Sequence, residues 1–240
     1  MIEHGIVEAL HKAQAAKDPK AIAQTEALAS VLKAVKLDGF QDVALPQAPK
    51  ETAPVEVKRF TDEAREALQK EGYRIHQLTG ESIRTLRSGG RKFLSTWHQE
   101  AQYEGFETLG SMHSELAIQP DPEKFLLHKS NNSTLEEQLE MIAEYSHTLQ
   151  RKLRDQALEA IMGEAPDYSE LAFVHLDATG VRLFGENYGY NYARTKTPTV
   201  GSHVALVGRF DAAIGLYVLD WHRGLSPSRV FASPLVVPKS

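Results

Sequence analysis

Apolar positions recur at helical spacing through the first forty residues, and the period then changes. Ile2, Ile6, Val7 and Leu10 mark one stripe; Ile22, Leu28, Val31, Leu32 and Val35 mark a second, restarted at Asp18-Pro19 and stopped at Gly39. An aspartate can accept an orphan amide, proline suits the first helical position, and glycine tolerates a left-handed stop. The pattern predicts a helical hairpin over 1–40. Two short helices cannot bury both stripes alone, so residues 1–38 are expected to tether the chain or form a homo-oligomer. Pro46, Pro49 and Pro54 then suppress any periodicity and predict an extended proline-rich linker over 41–58.

The body, 59–240, mixes both periods. "TDEAREALQKEG" has Thr61 placed as an N-cap, acids in its first turn and Gly72 as a stop, so a helix is predicted. "TGESIRTLRSGG" predicts a short helix or turn. The strongest helix follows Ser133 or Thr134, with Leu135, Leu139, Ile142, Leu149 and Leu153 as its stripe, acids early and bases late. "EAPDYSELAFVHLDATG" admits two readings. Phe173, His175 and Asp177 could alternate along a strand, but the Asp167–Glu170 spacing and Gly180 favour a helix from about residue 167 to 178.

Alternation predicts strands in "YRIHQL", "RKFLSTWHQ", "SELAI", "FLL" at 125–127 and "LEAIMG". After residue 181, β-branched and aromatic residues separated by glycine turns predict a compact, mostly antiparallel unit over 181–240. Its strands are "VRLF", "YNYARTKT", "HVALVGRF", "GLYVLDWH" and "RVFASPLVV". The fold class is therefore α+β.

Composition narrows the function classes. The chain has 240 residues, 42% hydrophobic and 25% charged, which suits a folded protein. With no cysteine it has no disulfide, thiolate nucleophile or zinc ribbon. No apolar run approaches the ~18 residues of a membrane span, and the start lacks a basic, then apolar leader; a soluble protein in the cytoplasm is expected. A net charge of −5 argues against a nucleic-acid partner for the whole chain. Residues 181–240 nevertheless hold seven Lys/Arg against three Asp/Glu, which suggests a face suited to anionic ligands.

Candidate chemistry centres on "FGENYGYNYARTKT", residues 184–197. In a strand, Tyr188, Tyr190, Tyr192, Arg194 and Lys196 share one face, opposite a nearly bare face of Gly185, Asn187, Gly189, Asn191 and Ala193. Rings beside cations can pack as sheet, hold a ligand with help from Arg209, or stack single-stranded nucleic acid. A second constellation is His175 with Asp177 and Asp220 with His222, mirror-image pairs that would supply acid/base groups if both segments were extended. His98 with Glu100 and His113 with Glu115 repeat the spacing. "GEAPDYSE" follows a strand and opens a helix, where amides can receive an anion; Glu164 and Asp167 would repel one, so a cation or sugar hydroxyl fits better. No phosphate loop, nucleophile elbow or metal-protease spacing occurs, so no cofactor or metal is expected.

These features favour a soluble, non-catalytic protein that binds a small ligand or a protein partner. One alternative is a hydrolase or transferase acting on a polar or anionic small substrate through the His/Asp quartet; another is single-stranded nucleic-acid binding. Removal of residues 1–57 is expected to leave a folded body with a changed assembly state. Sedimentation and circular dichroism of the truncated chain check this, and an unfolded product would contradict it.

Overall fold

The segment 165–179 is apolar around nearly its whole circumference, as in a helix buried on all sides rather than laid on a surface. In the computed structural model, which describes residues 56–184 and 191–239, that helix is the centre of the body. The chain divides at Pro54, and the unit Val55–Ser240 is the body. The predicted hairpin, most of the linker, Tyr188 and Tyr190 lie outside the described residues. Lys58, expected at the linker's end, already bridges Ser114.

Among the described residues, eight strands form two sheets. The first is antiparallel, in the order β1 (Arg74–Thr79), β2 (His113–Ile118), β8 (Pro234–Pro238), β3 (Leu158–Met162). The second runs β6 (Gly215–His222), β5 (His203–Asp211), β4 (Tyr192–Pro198), β7 (Val230–Phe231), antiparallel except where β7 lies parallel to β4. The helices are α1 (Asp62–Lys70), α2 (Ile83–Ser88), α3 (Glu104–Thr108), α4 (Pro122–Phe125), α5 (Leu135–Leu153) and α6 (Ala165–Thr179). The fold is α+β.

Strand alternation divides the core. Leu116, Ile118, Leu235 and Val237 point into one cluster with α6; Ala117, Val236, Ala160 and Met162 point into another with α1 and α5. In the second sheet Ala193, Ala205, Val207 and Val218 meet α6, while Tyr192, Leu206 and Val230 form a small cluster of their own. The bare side of β4 thus serves this chain's own core. Gly208 permits the close packing, since a β-carbon there would lie 2.3 Å from the Asn191 carbonyl oxygen.

Helix ends follow the predicted chemistry. The Thr61 side chain accepts Ala64 N at 3.2 Å. Thr134 and Glu137 form a reciprocal box, Thr134 N donating to Glu137 Oε2 at 2.7 Å and Glu137 N to Thr134 Oγ1 at 3.3 Å. Gly180, at φ 71°, stops α6.

Four expected strands are corrected. "RKFLSTWHQ" contains a 3-10 turn at Trp97–Gln99, because Ser95 Oγ and Trp97 Nε1 both donate to the Val218 carbonyl and tie the segment irregularly beside β6. "VRLF" is a turn, and Phe125 of "FLL" ends the short helix α4. "RVFASPLVV" is broken at Ala232-Ser233 into β7 and β8, which belong to different sheets. The last sixty residues are therefore not one separate unit: the terminal strand crosses into the first sheet. Tyr168 of α6 pins that crossing by donating to the Ser233 carbonyl at 2.5 Å while accepting Gly163 N at 3.1 Å.

Burying α6 buries its polar groups too, and each needs a partner. Glu170, 2% exposed, accepts Thr79 N at 2.9 Å, Thr79 Oγ1 at 2.8 Å, Glu81 N at 3.2 Å and the Ser111 hydroxyl. One carboxylate thus holds the turn after β1 and the approach to β2. Replacing it strands several donors. Glu170→Ala is expected to lower the unfolding free energy by roughly 3 kcal/mol and Glu170→Gln by about half of that, measured by urea denaturation.

Candidate functional site

Two of the recesses formed by the described residues gather several titratable groups. One, of about 360 Å3, lies where α6 begins and is lined by Ser111, His113, Glu159, Glu164, Asp167 and Lys196, among others. The other, of about 620 Å3, runs from Gly72 into β1 as far as Gln77 and includes Arg65 and Glu115. The first gathers more titratable groups, among them three carboxylates.

The strand β3 delivers the chain into α6 through Gly163 and Glu164. Asp167, one turn in, accepts Glu164 N and Met112 N, both at 2.7 Å. Burial pushes the Asp167 carboxyl above the usual range, against the lowering effect of those two amides. Glu164 Oε2 accepts the Thr197 hydroxyl at 2.5 Å, and Thr197 Oγ1 accepts Ala165 N at 2.7 Å. Lys196 Nζ stands 3.7 Å from Glu164 Oε1 and remains half-exposed. Two leading amides are thus already bonded within the protein, and Pro166 offers none. The helix start is not an open anion cradle.

His113 closes one side of this recess. Its ring lies over Gly80, whose φ is +88° and where a β-carbon would come within 2.2 Å of Nε2. Only glycine meets both conditions.

The expected ligand face on β4 is divided by burial. Tyr192 is buried with Leu206 and Val230. Arg194 is fully buried: Nε donates to Gln138 Oε1 at 2.9 Å, Nη1 to the Arg223 carbonyl at 3.3 Å, and Nη2 to the Ser133 and Leu225 carbonyls at 3.2 and 3.0 Å. Its guanidinium joins α5 to the loop after β6. Lys196 alone of these three reaches a recess. Arg209 sits at the β5 bulge with φ 37°, its amide donating to the Asn191 carbonyl at 3.2 Å.

The acid/base quartet is distributed over three sets of partners. Helix α6 carries His175 and Asp177; Asp177 is half-exposed and ion-pairs with Arg91. Asp220 Oδ2 lies 2.9 Å from His203 Nδ1 on β5, whose ring meets that of His222 edge-on at 5.7 Å. His175 instead meets His76 of β1, with Nδ1 and Nε2 3.1 Å apart, so one ring donates and the other accepts. The nearby acids give way to other partners as well: His98 Nδ1 lies 2.9 Å from Glu107 rather than pairing with Glu100, and Glu115 takes Arg65 at 2.9 Å and Phe60 N at 3.0 Å. Sequence reasoning missed His76, His203 and Glu107, because their partners are 99, 17 and 9 residues away.

The His76–His175 pair is buried as neutral rings. Burial, then the neighbouring His175 and Arg74, lowers the His76 pKa from 6.5 to about 4, and burial and Arg74 lower that of His175. The unfolded chain therefore takes up these protons first. Stability fully present above pH 6.5 is expected to drain away as pH falls toward 4, by up to roughly 3 kcal/mol for His76. Urea midpoints across that range check this, with a shallower slope expected for His76→Leu.

No protein-family model, characterised protein or solved structure matches this chain, so the recesses are judged on their own residues.

Proposed function

We propose that the body is a non-catalytic binding module for a small ligand bearing hydroxyl or ammonium groups, seated in the recess at the start of α6. The observation that carries this reading is the convergence of Glu159, Glu164, His113 and Lys196 on one cavity of about 360 Å3, a volume suited to a small molecule. Carboxylates supply acceptors there, and lysine and histidine supply donors, so a ligand with both kinds of group gains orientation. An anionic ligand is disfavoured because the leading amides of α6 are occupied and two carboxylates stand beside them.

The long Glu164–Lys196 pair matters to this reading. At 3.7 Å with a half-exposed ammonium, it is worth little by itself and can be exchanged for contacts to a ligand. Asp167, fixed by two amides, holds the recess wall without being consumed.

Thermal unfolding of the full chain against panels of sugars, amino acids, polyamines and inorganic phosphate tests the reading. A sugar, amino acid or polyamine at about a hundred times its dissociation constant should raise the midpoint by roughly 5–10 °C. The shift should be lost in Glu164→Gln and weakened in Lys196→Ala. Stabilisation by phosphate alone, or shifts untouched by both substitutions, would overturn it.

A further inference from the structure

The larger recess has a different character: it follows a strand edge. β1 ends the order of the first sheet, and among the described residues no strand lies on its outer side. Two hydrogen bonds fix which backbone groups face that side. Lys58 N donates to the His113 carbonyl at 3.2 Å and Glu115 N to the Lys58 carbonyl at 2.8 Å, so residues 113 and 115 of β2 turn away from β1 and their partners Thr79 and Gln77 turn away from β2. On that outer side Tyr73 N donates to the Leu68 carbonyl at 3.0 Å and Thr79 N to Glu170 Oε1 at 2.9 Å. Backbone groups of an antiparallel strand alternate in direction with period two. Ile75 and Gln77 therefore turn their N–H and C=O outward with residues 73 and 79, and neither pair has a partner among the described residues.

The ends of the edge are thus closed by the protein, at Leu68 and at Glu170, while its middle is open. That middle borders the recess of about 620 Å3, walled by Arg65 and Gln69 of α1 and by Arg74. Arg65 is already matched by Glu115, with Nη2 at 3.0 and 2.9 Å from its two oxygens. Arg74 is exposed and has no ion-pair partner among the described residues. An open ladder beside an unmatched cation defines what fits: main-chain groups to continue the sheet and a carboxylate to meet the guanidinium.

We infer that the β1 edge receives an extended, acidic peptide segment of a partner protein by strand addition, with main-chain bonds to Ile75 and Gln77 and a carboxylate at Arg74. This surface is separate from the recess at α6 and does not depend on a ligand there. Affinity comes from the ladder, and the charge selects the partner.

Fluorescence anisotropy of the full chain with a labelled six-residue peptide alternating valine and glutamate tests this. Binding is expected, with a loss of about tenfold or more in Arg74→Glu. The same peptide N-methylated at alternate residues, prepared in both frames, should fail to bind in the frame that faces β1. Gln77→Pro removes one outward donor at an edge position where proline is tolerated, and should abolish binding with the circular dichroism spectrum retained. Absence of peptide binding, equal binding of both N-methylated forms, or indifference to Arg74→Glu would each overturn the inference. So would a dimer in sedimentation equilibrium that Gln77→Pro dissociates and the peptide cannot displace, since a second copy would then be the occupant. If Gln77→Pro fails to fold, the N-methylated peptides still decide the matter.

Discussion

A helix buried between two sheets can keep polar residues only if the surrounding chain supplies their partners. In α6 that constraint organises the whole body. Glu170 accepts from the turn after β1 and from Ser111; Asp167 accepts from Met112 and from its own helix entry; Tyr168 holds the crossing between β7 and β8. His175 meets β1. The helix is therefore more than apolar filling. Its hydrogen bonds specify where four separate connections must pass, which apolar packing alone does not do, because it has no direction. The cost of leaving any of these groups unpaired in the interior makes alternative arrangements of the same sheets unfavourable.

Local rules carried most of the element identities. Thr61 and Thr134 cap as their spacing predicts, and Gly180 stops α6 in the left-handed region. The alternation in "SELAI" and "LEAIM" matches strands whose successive residues enter different cores. Elements went wrong where a distant partner overrode the local pattern. "RKFLSTWHQ" alternates well enough for a strand, but Ser95 and Trp97 both seek one carbonyl, Val218 O, and bend the segment. "RVFASPLVV" looks like one long strand because both halves are apolar; only the placement of Tyr168 reveals that it changes sheets. No single-chain periodicity encodes such a bond, since it spans 65 residues.

The candidate sites show the same division more sharply. "GEAPDYSE" was legible as a strand-to-helix junction with carboxylates beside it, because caps and charge are local properties. That Lys196 and His113 share the recess was not, for they arrive on β4 and β2. The reverse happened at Arg194. Its position beside tyrosines suggests a recognition surface, yet its donors are spent on Gln138 and three backbone carbonyls. Those carbonyls belong to the loop after β6 and to the entry of α5, and an arginine can serve several at once through its fork.

The excess of basic residues in the last quarter of the chain loses its apparent meaning once the charges are placed. Arg194 is internal, Arg223 pairs with Glu136, and Lys196 faces Glu164. Part of the positive count in sequence is thus matched in the fold by acids outside that quarter, Glu136 and Glu164. Arg74 is the opposite case. It lies in a part of the chain whose net charge is negative, yet it has no ion-pair partner among the described residues and stands beside two histidines held neutral by burial. Charge useful for recognition is charge that the fold leaves unmatched next to unpaired backbone, and only three-dimensional placement distinguishes it from charge consumed in holding the structure together.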